Sequence, residues 1–240
     1  MSAVLLEVEN GVATLTLNRP ESRNALNLAM CEGLADSARE ISANDAVGLV
    51  LVRASGPVFC AGADLKERQG MSEAQVRERR MKGFAAYAAL EALPMPSIAV
   101  LEGPAVGSGC EIAGACDFII ATPAASFRTP EAIRGTVGAT QRLPRILGKR
   151  LAKDLMFTGR TLSAEEARQS GLVARLVPVS ELESQLQEIV KTITQAPPQS
   201  LYLAKRCIDR GVELDPQGAL DTELAAIEEQ LAAGQWMGRQ

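Results

Sequence analysis

Two glutamates, Glu111 and Glu131, lie where helices are expected to begin. Glu111 follows residues 107–109 (Gly-Ser-Gly), which come after a short apolar strand and open a helix. The first turn of a helix exposes unpaired N–H groups and a partial positive charge, which would stabilise an oxygen anion. Because Cys110 and Ile112 flank Glu111, its side chain would face a semi-apolar cleft, where burial would raise its pKa. The alternative is a surface carboxylate that complements the helix dipole, and these residues alone favour neither interpretation.

Glu131 follows Pro130, a residue that suits the first position of a helix, so Glu131 would lie in the first helical turn. By itself this is an ordinary helix start. Glu131 matters because it would be a second carboxylate besides Glu111. Two carboxylates over one small site can divide acid and base roles when their environments separate their pKa values.

A third segment, residues 60–66, contains only small side chains until Asp64 and comes after an expected buried strand. Small residues let a ligand approach the backbone closely, so the N–H of Ala63 could donate to a ligand oxygen. The alternative is a tight turn at the end of the strand, with Asp64 as a helix cap. Composition alone favours that alternative.

The composition limits the chemistry, because the 240 residues include no histidine. This excludes nucleophile systems that need a histidine base and zinc sites of the HExxH type. Acid–base chemistry must therefore rest on Asp, Glu, Lys, Tyr or Cys. A net charge of −4 and an aromatic content of 3% argue against a nucleic-acid binder.

The elements that would position these residues alternate between strand and helix as far as residue 130 and are mainly helical afterwards. Two alternating runs flank Asn10-Gly11, which predicts a β-hairpin. Periodicity and capping residues predict the remaining elements. Strands are expected at 47–52, 97–101, 117–121 and 173–177, and helices at 27–41, 72–93, 110–116, 149–158, 163–170, 180–196, 199–210 and 217–233. Residues 127–138 are expected to form a loop with one helical turn. The pattern is that of an α/β protein.

The five cysteines are odd in number and form no CxxC pair, which favours a reduced, cytoplasmic compartment with the thiols as small core residues. The first residues lack a basic region, so we expect no signal peptide. The longest apolar candidate, residues 97–122, is interrupted by acidic residues, so no membrane span is expected. The arginines at 77, 79 and 80 are expected to lie on a solvated helix face.

Together these motifs resemble the crotonase superfamily, the enoyl-CoA hydratase/isomerase fold, along essentially the whole chain. The segments that carry the resemblance are LNRP at 17–20, NAL at 24–26, FCAGADLKE at 59–67, GPAVGSGCE at 103–111, CD at 116–117, PE at 130–131, TQRL at 140–143, TGR at 158–160 and AEEARQSGLV at 164–173. The resemblance implies a core of repeated β-β-α turns over residues 1–196. It also implies a C-terminal helical region, residues 197–240, that makes the contacts of a homotrimer or a dimer of trimers.

The resemblance also implies roles for individual residues. The N–H groups of Ala63 and Ser108 would form an oxyanion hole for the thioester oxygen of an acyl-CoA, and Lys66 would contact the nucleotide part of CoA. Glu111 and Glu131 match the two glutamates of hydratases, with Glu111 as the base and Glu131 as the proton donor. The remaining implied substrate contacts are Ala61, Asp64, Leu65 and Arg23. No metal or redox cofactor is implied, since CoA enters as part of the substrate.

Three features depart from the family pattern. Ser108 stands where the family often has glycine, the loop between Glu131 and Thr140 is a few residues shorter, and the chain ends without the usual Phe and Lys. Three functions remain open: a 2-enoyl-CoA hydratase of fatty-acid or small-acid catabolism, a Δ3,Δ2-enoyl-CoA isomerase that uses one glutamate, and a non-catalytic acyl-CoA-binding protein. The length of the acyl chain is also open.

Overall fold

Nine strands and eight helices form residues 2–234, the part of the chain described by this computed structural model. The strands are β1 (Val4–Glu9), β2 (Val12–Leu17), β3 (Leu49–Ala54), β4 (Ser97–Leu101), β5 (Pro104–Val106), β6 (Phe118–Ala121), β7 (Ser126–Arg128), β8 (Thr161–Ser163) and β9 (Arg175–Leu176). The helices are α1 (Leu28–Ser42), α2 (Glu73–Glu91), α3 (Ser108–Gly114), α4 (Arg142–Thr158), α5 (Ala164–Gln169), α6 (Leu182–Gln195), α7 (Pro198–Gly211) and α8 (Pro216–Ala232).

The main sheet has six strands in the order β1-β2-β3-β4-β6-β9. The predicted hairpin is confirmed: β1 and β2 pair antiparallel around Asn10 and Gly11, whose φ angles of 51° and 79° suit a tight turn. The other neighbouring strands pair in parallel. Strand β4 is buried along its whole length, as a parallel strand covered on both faces should be.

A second, three-stranded sheet has the order β5-β7-β8. Two successive units, β4-β5-α3 and β6-β7-α4, each place one strand in the main sheet, one in the second sheet and then a helix. These are the expected β-β-α turns. The sequence patterns predict no strand in residues 103–109 and a loop over 127–138, and this prediction is wrong at β5 and β7. Each has only three residues, too few for an alternating pattern.

The helices begin where side chains can satisfy their first N–H groups. The side chain of Asn27 accepts from the N–H of Met30, and Ser72 forms a reciprocal capping box with Gln75 at the start of α2. Helix α4 begins at Arg142, seven residues earlier than expected. Gly148 has a non-helical conformation (φ 75°, ψ 158°) that interrupts the helix and hid its first part from the sequence pattern.

The hydrophobic core lies on both faces of the main sheet. The larger cluster joins one face to α1, α2 and α3, and a smaller cluster joins the other face to α6. The expected C-terminal region corresponds to α7 and α8, which pack against each other. Its boundary at residue 196 stays a prediction, and residues 235–240 lie outside the described part. Among residues 2–234, no helix has the length and apolar character to cross a bilayer.

Candidate active site

Two isolated β-bridges bring the 60–66 segment beside the start of α3. Leu26 pairs with Ala63, because the N–H of Leu26 donates to Gly62 (2.8 Å) and the N–H of Asp64 donates to Leu26 (2.9 Å). Cys60 pairs with Ala105 of β5 in the same way. Backbone hydrogen bonds therefore join the 60–64 segment to Leu26 on one side and to Ala105 on the other, although these partners lie about forty residues away in the sequence.

A close approach at Gly109 completes this junction. A Cβ atom added there would lie 2.6 Å from the carbonyl oxygen of Cys60, so only glycine lets α3 pack this closely. Gly107 has φ 51° and ψ −106°, a conformation that L residues rarely adopt. The glycines of this segment therefore serve close packing and an unusual turn.

The junction leaves the N–H groups of Ala63 and Ser108 without acceptors among residues 2–234. The neighbours of Ala63 in the chain both pair with Leu26, so its own N–H is directed to the opposite side. Ser108 is the first residue of α3, where N–H groups have no partner within the helix. Both residues line one cavity of about 100 Å³, together with Glu111 and Glu131.

Glu111 is 5% exposed and lies in the first turn of α3. Its Oε2 accepts from Nη1 of Arg142 at 2.7 Å, whereas its buried Oε1 has no partner among the described residues. Burial raises the pKa of this carboxyl above its usual value, and the arginine offsets part of that rise. The burial of Glu111 and the resulting rise of its pKa agree with the sequence-based expectation.

Glu131 lies opposite, in the loop after β7. Its Oε2 is buried and has no hydrogen-bond partner within residues 2–234. Burial raises the pKa of this carboxyl, and the negative charge of Glu111 raises it further. Glycines make room for the side chain: a Cβ atom at Gly107 would lie 2.4 Å from Glu131 Oε1, and one at Gly138 would lie 3.1 Å from its Cγ.

Arg142 contacts the site in a way that no sequence pattern predicts. Its Nη1 binds Glu111, its Nη2 donates to Oε2 of Glu91 at 2.5 Å, and its guanidinium lies 5.8 Å from the ring centroid of Tyr87. The only signal in the sequence was the TQRL motif, which marks the residue without saying what it contacts.

Of the other predicted substrate contacts, Ala61 and Leu65 lie beside the small cavity, whereas Lys66 and Arg23 line neither this cavity nor its neighbour. Ala61 and Leu65 line a neighbouring cavity of about 460 Å³, which shares Ala63 and Glu131 with the smaller one. Lys66 and Arg23 are exposed. These contacts stay predictions.

Asp64 is held by the protein itself. Its Oδ1 accepts from the N–H groups of Lys66 and Glu67, and its Oδ2 pairs with Arg19 at 3.0 Å. Burial opposes ionisation of Asp64, but these hydrogen bonds outweigh it and lower its pKa. The carboxylate therefore stabilises the turn that presents Ala63, in line with the structural alternative weighed from the sequence.

The expectation of a solvated arginine face on α2 is wrong for Arg79, whereas Arg77 and Arg80 are exposed as expected. Arg79 is 4% exposed, pairs with Glu67 at 2.6 Å and also donates to the carbonyl of Leu26. Arg80 lines the small cavity and donates to the carbonyl of Val137. The side of α2 that carries Arg79 faces the site because the segment containing Leu26 packs against it. Helical periodicity alone cannot show that contact.

Two further expectations concern thiols and metals. Cys31, Cys60, Cys110 and Cys116 are buried and free, as expected for core residues, and burial raises the pKa of Cys60 to about 12. Residues 2–234 contain no cluster of three His, Cys, Asp or Glu side chains that could hold a metal ion.

Comparison with known proteins places the chain in a family. A sequence profile described as enoyl-CoA hydratase/isomerase matches residues 7–235. The chain belongs to the enoyl-CoA hydratase/isomerase family. The short-chain-enoyl-CoA hydratase of Clostridium acetobutylicum is 37% identical over 233 residues, which cover 95% of this chain and 89% of that protein.

Solved structures of family members share the fold. An enoyl-CoA hydratase from Bacillus anthracis superposes with a TM-score of 0.91 at 38% identity, covering 94% of this chain and 90% of that one. A Thermobifida fusca protein in complex with acetoacetyl-CoA superposes with a TM-score of 0.87 at 27% identity, covering 97% and 96%. The crotonase fold with C-terminal helices, expected from the sequence motifs, is confirmed.

Proposed function

We propose that this family member is a 2-enoyl-CoA hydratase, which adds water across the double bond of a 2-enoyl-CoA to give a 3-hydroxyacyl-CoA. The observation that carries the proposal is that Glu111 and Glu131, each with a buried oxygen that has no partner within residues 2–234, line the same cavity as the two unpaired N–H groups. The acyl-CoA bound by the Thermobifida relative supports the substrate class.

In the proposed reaction the thioester oxygen lies between the N–H groups of Ala63 and Ser108. These donors stabilise the negative charge that develops on this oxygen as the enolate forms, and they are already oriented before the substrate arrives. The N-terminus of α3 adds its partial positive charge. The substrate's CoA would run towards the larger cavity lined by Ala61 and Leu65, with Lys66 and Arg23 near its phosphates.

The two carboxylates would divide the proton transfers. Glu111 accepts a proton from water as the hydroxyl oxygen bonds to the β-carbon, and protonated Glu131 gives its proton to the α-carbon. One water is consumed, and the proton taken by Glu111 must return to Glu131 before the next turnover. Burial raises both pKa values above the usual value of a glutamate, which is the direction that acid–base catalysis by a carboxyl group requires. The proposal needs no metal or redox cofactor.

The test is the loss of the enoyl-thioester absorbance when the protein is added to crotonyl-CoA, with 3-hydroxybutyryl-CoA identified as the product. We expect Glu111→Gln and Glu131→Gln to lose turnover by about 10²-fold or more while still binding the CoA ester. Glu102→Gln, an exposed carboxylate paired with Arg53, is the matched control. Binding without turnover by the unaltered protein would instead support the non-catalytic acyl-CoA-binding function.

One observation favours a second candidate, a Δ3,Δ2-enoyl-CoA isomerase. Glu111 is engaged by Arg142, whereas the buried Oε2 of Glu131 has no partner within residues 2–234. A single free carboxylate could carry a proton between the α- and γ-carbons. A 3-enoyl-CoA converted to the 2-enoyl isomer, without hydration of crotonyl-CoA, would establish this function.

We also propose that the protein is cytoplasmic and assembles through α7 and α8 as a trimer or dimer of trimers. Both helices expose apolar side chains, among them Ile208, Leu220 and Leu224, and a cavity of about 650 Å³ lies between them. Exposed apolar surface of this kind marks an interaction site. Light scattering coupled to size-exclusion chromatography gives the assembly mass, and a monomer would contradict the proposal.

A further inference from the structure

The guanidinium of Arg142 joins a buried carboxylate to an exposed one. Nη1 binds Glu111 Oε2 at 2.7 Å, and Nη2 binds Glu91 Oε2 at 2.5 Å. The side chains of Arg142 and Glu111 are 15% and 6% exposed, whereas that of Glu91 is 54% exposed. The ring of Tyr87 packs beside the guanidinium. One end of Arg142 is therefore fixed at the surface, and its other end enters the cavity.

The second carboxylate has no such partner. Glu131 forms no ion pair among residues 2–234, and the positive charges of Arg134 and Arg80 act on it only from a distance. Its own neighbour across the cavity is Glu111, whose negative charge opposes ionisation of Glu131. The two carboxylates therefore line the same cavity but have different charge environments.

Two carboxylates that share a small, poorly solvated site do not both ionise readily, so they titrate as a coupled pair. In such a pair the proton resides on the group that gains least from being charged. The groups facing Glu111 are Arg142 from α4, Tyr87 and Glu91 from α2, and Glu131 across the cavity. Arg142 is the sole cation in ion-pair contact with Glu111 among residues 2–234, which makes Glu111 the member that is better stabilised as an anion.

We propose that Arg142 is a positioning residue that holds Glu111 as the ionised carboxylate of the pair and thereby leaves the shared proton on Glu131. Oε2 of Glu111 is occupied by the guanidinium, so Oε1 is the oxygen left to accept a proton from water. Oε2 of Glu131, which is buried and has no partner within residues 2–234, would hold the shared proton. The part of this inference that concerns turnover rests on the proposed function, whereas the ion pair itself can be tested without it.

The first test is the pH dependence of kcat/KM with crotonyl-CoA. The acidic limb reports ionisation of the essential base. In Arg142→Gln we expect this limb to move to higher pH by about one to three units. A neighbouring arginine typically lowers the pKa of a carboxyl group by that amount, and the variant loses this effect. At pH 7, kcat should fall about tenfold or more with a smaller change in KM. Arg142→Lys, which keeps the positive charge, should return the limb to nearly the pH at which it lies in the unaltered protein.

Two further variants separate this effect from general damage to α4. Arg145→Gln removes an exposed arginine of the same helix, paired with Glu213, and should leave the profile unchanged. Glu91→Gln removes a negative charge that raises the pKa of Glu111. The acidic limb of this variant should therefore move to lower pH, opposite to the limb of Arg142→Gln. An unchanged limb in Arg142→Gln, or shifts of both variants in the same direction, would overturn the proposal.

Stability measurements test the ion pair even if the protein does not hydrate crotonyl-CoA. Melting temperatures at pH 7 are compared for Arg142→Gln, Glu111→Gln and the double variant. If Arg142 stabilises ionised Glu111, the loss caused by Arg142→Gln should shrink when Glu111 is already glutamine. Equal losses in the two backgrounds would refute the inference. Absence of turnover with coupling intact would refute only the proposed function.

Discussion

Gly107→Ala is a sensitive test of the site geometry, because one added methyl group would strain the backbone of residue 107 and also collide with the carboxylate of Glu131. At φ 51° and ψ −106°, Gly107 occupies a conformation that costs a non-glycine residue about 1–3 kcal/mol. The added Cβ would also lie 2.4 Å from Glu131 Oε1. Real Cβ contacts essentially never fall below 3.0 Å, so the carboxylate must move by at least about 0.6 Å, or the turn must open.

The expected effect on turnover follows from that displacement. A reacting group misplaced by about 1 Å can lose about 10²-fold in rate, so a movement of 0.6 Å should reduce kcat by about tenfold or more. Turnover of crotonyl-CoA and the urea midpoint would be measured together. The free energy of unfolding should fall by about 1–3 kcal/mol, which leaves the variant folded at 25 °C if its stability is typical of a domain.

Gly171→Ala is the matched control. Gly171 also has a positive φ of 84°, but a Cβ atom there meets no atom within 4 Å. It should lose about 1–2 kcal/mol of stability and keep its activity. If Gly107→Ala keeps the turnover of the unaltered protein, the reasoning from the 2.4 Å contact is refuted. Equal losses of turnover in both variants would point to destabilisation rather than to the carboxylate.

Three other measurements follow from the charges and burial. Arg79→Met leaves Glu67 unpaired and should cost about 3–5 kcal/mol in urea unfolding, and the double variant with Glu67→Gln should recover part of the loss. Glu131→Gln should raise the melting temperature at pH 7 more than at pH 4. The folded-state pKa of Glu131 is raised, so its contribution to stability is present below the unfolded pKa and lost as pH rises through the folded pKa, a loss that glutamine avoids. An equal effect at both pH values would contradict this. A maleimide at pH 7 should label partly exposed Cys207 before buried thiols such as Cys60, as read by mass spectrometry.

Much of the fold could be predicted because its longer elements carry local signals. The Asn10-Gly11 turn, the capping box at Ser72 and the buried strand Ser97–Leu101 all lie where residue types and periodicity place them. The second sheet could not be predicted from these patterns. Its strands, such as Pro104–Val106, have three residues each, and pairing with distant partners decides that they are strands.

The candidate site shows the same division. The sequence indicated Glu111, Glu131 and the two backbone donors, because motifs mark them one by one. Arg142 lies 31 residues from Glu111 in the chain, and no periodicity links two residues whose contact depends on how α3 and α4 pack. The motif resemblance named the participants, whereas the electrostatic difference between the two carboxylates emerged only from the tertiary structure.

The buried carboxylate pair has a consequence for how the protein can be observed. With no histidine in the chain, few ordinary groups besides the N-terminal amine titrate between pH 5 and 8. Among the carboxyl groups that line the cavity, Glu111 and Glu131 have raised pKa values, so the protein's share of the protons exchanged when a CoA ester binds should come from them, beside the share from the phosphate of CoA. Calorimetric titration in two buffers of different ionisation enthalpy counts those protons directly. The unmodified protein thus supplies its own label-free indicator of the protonation state of its site.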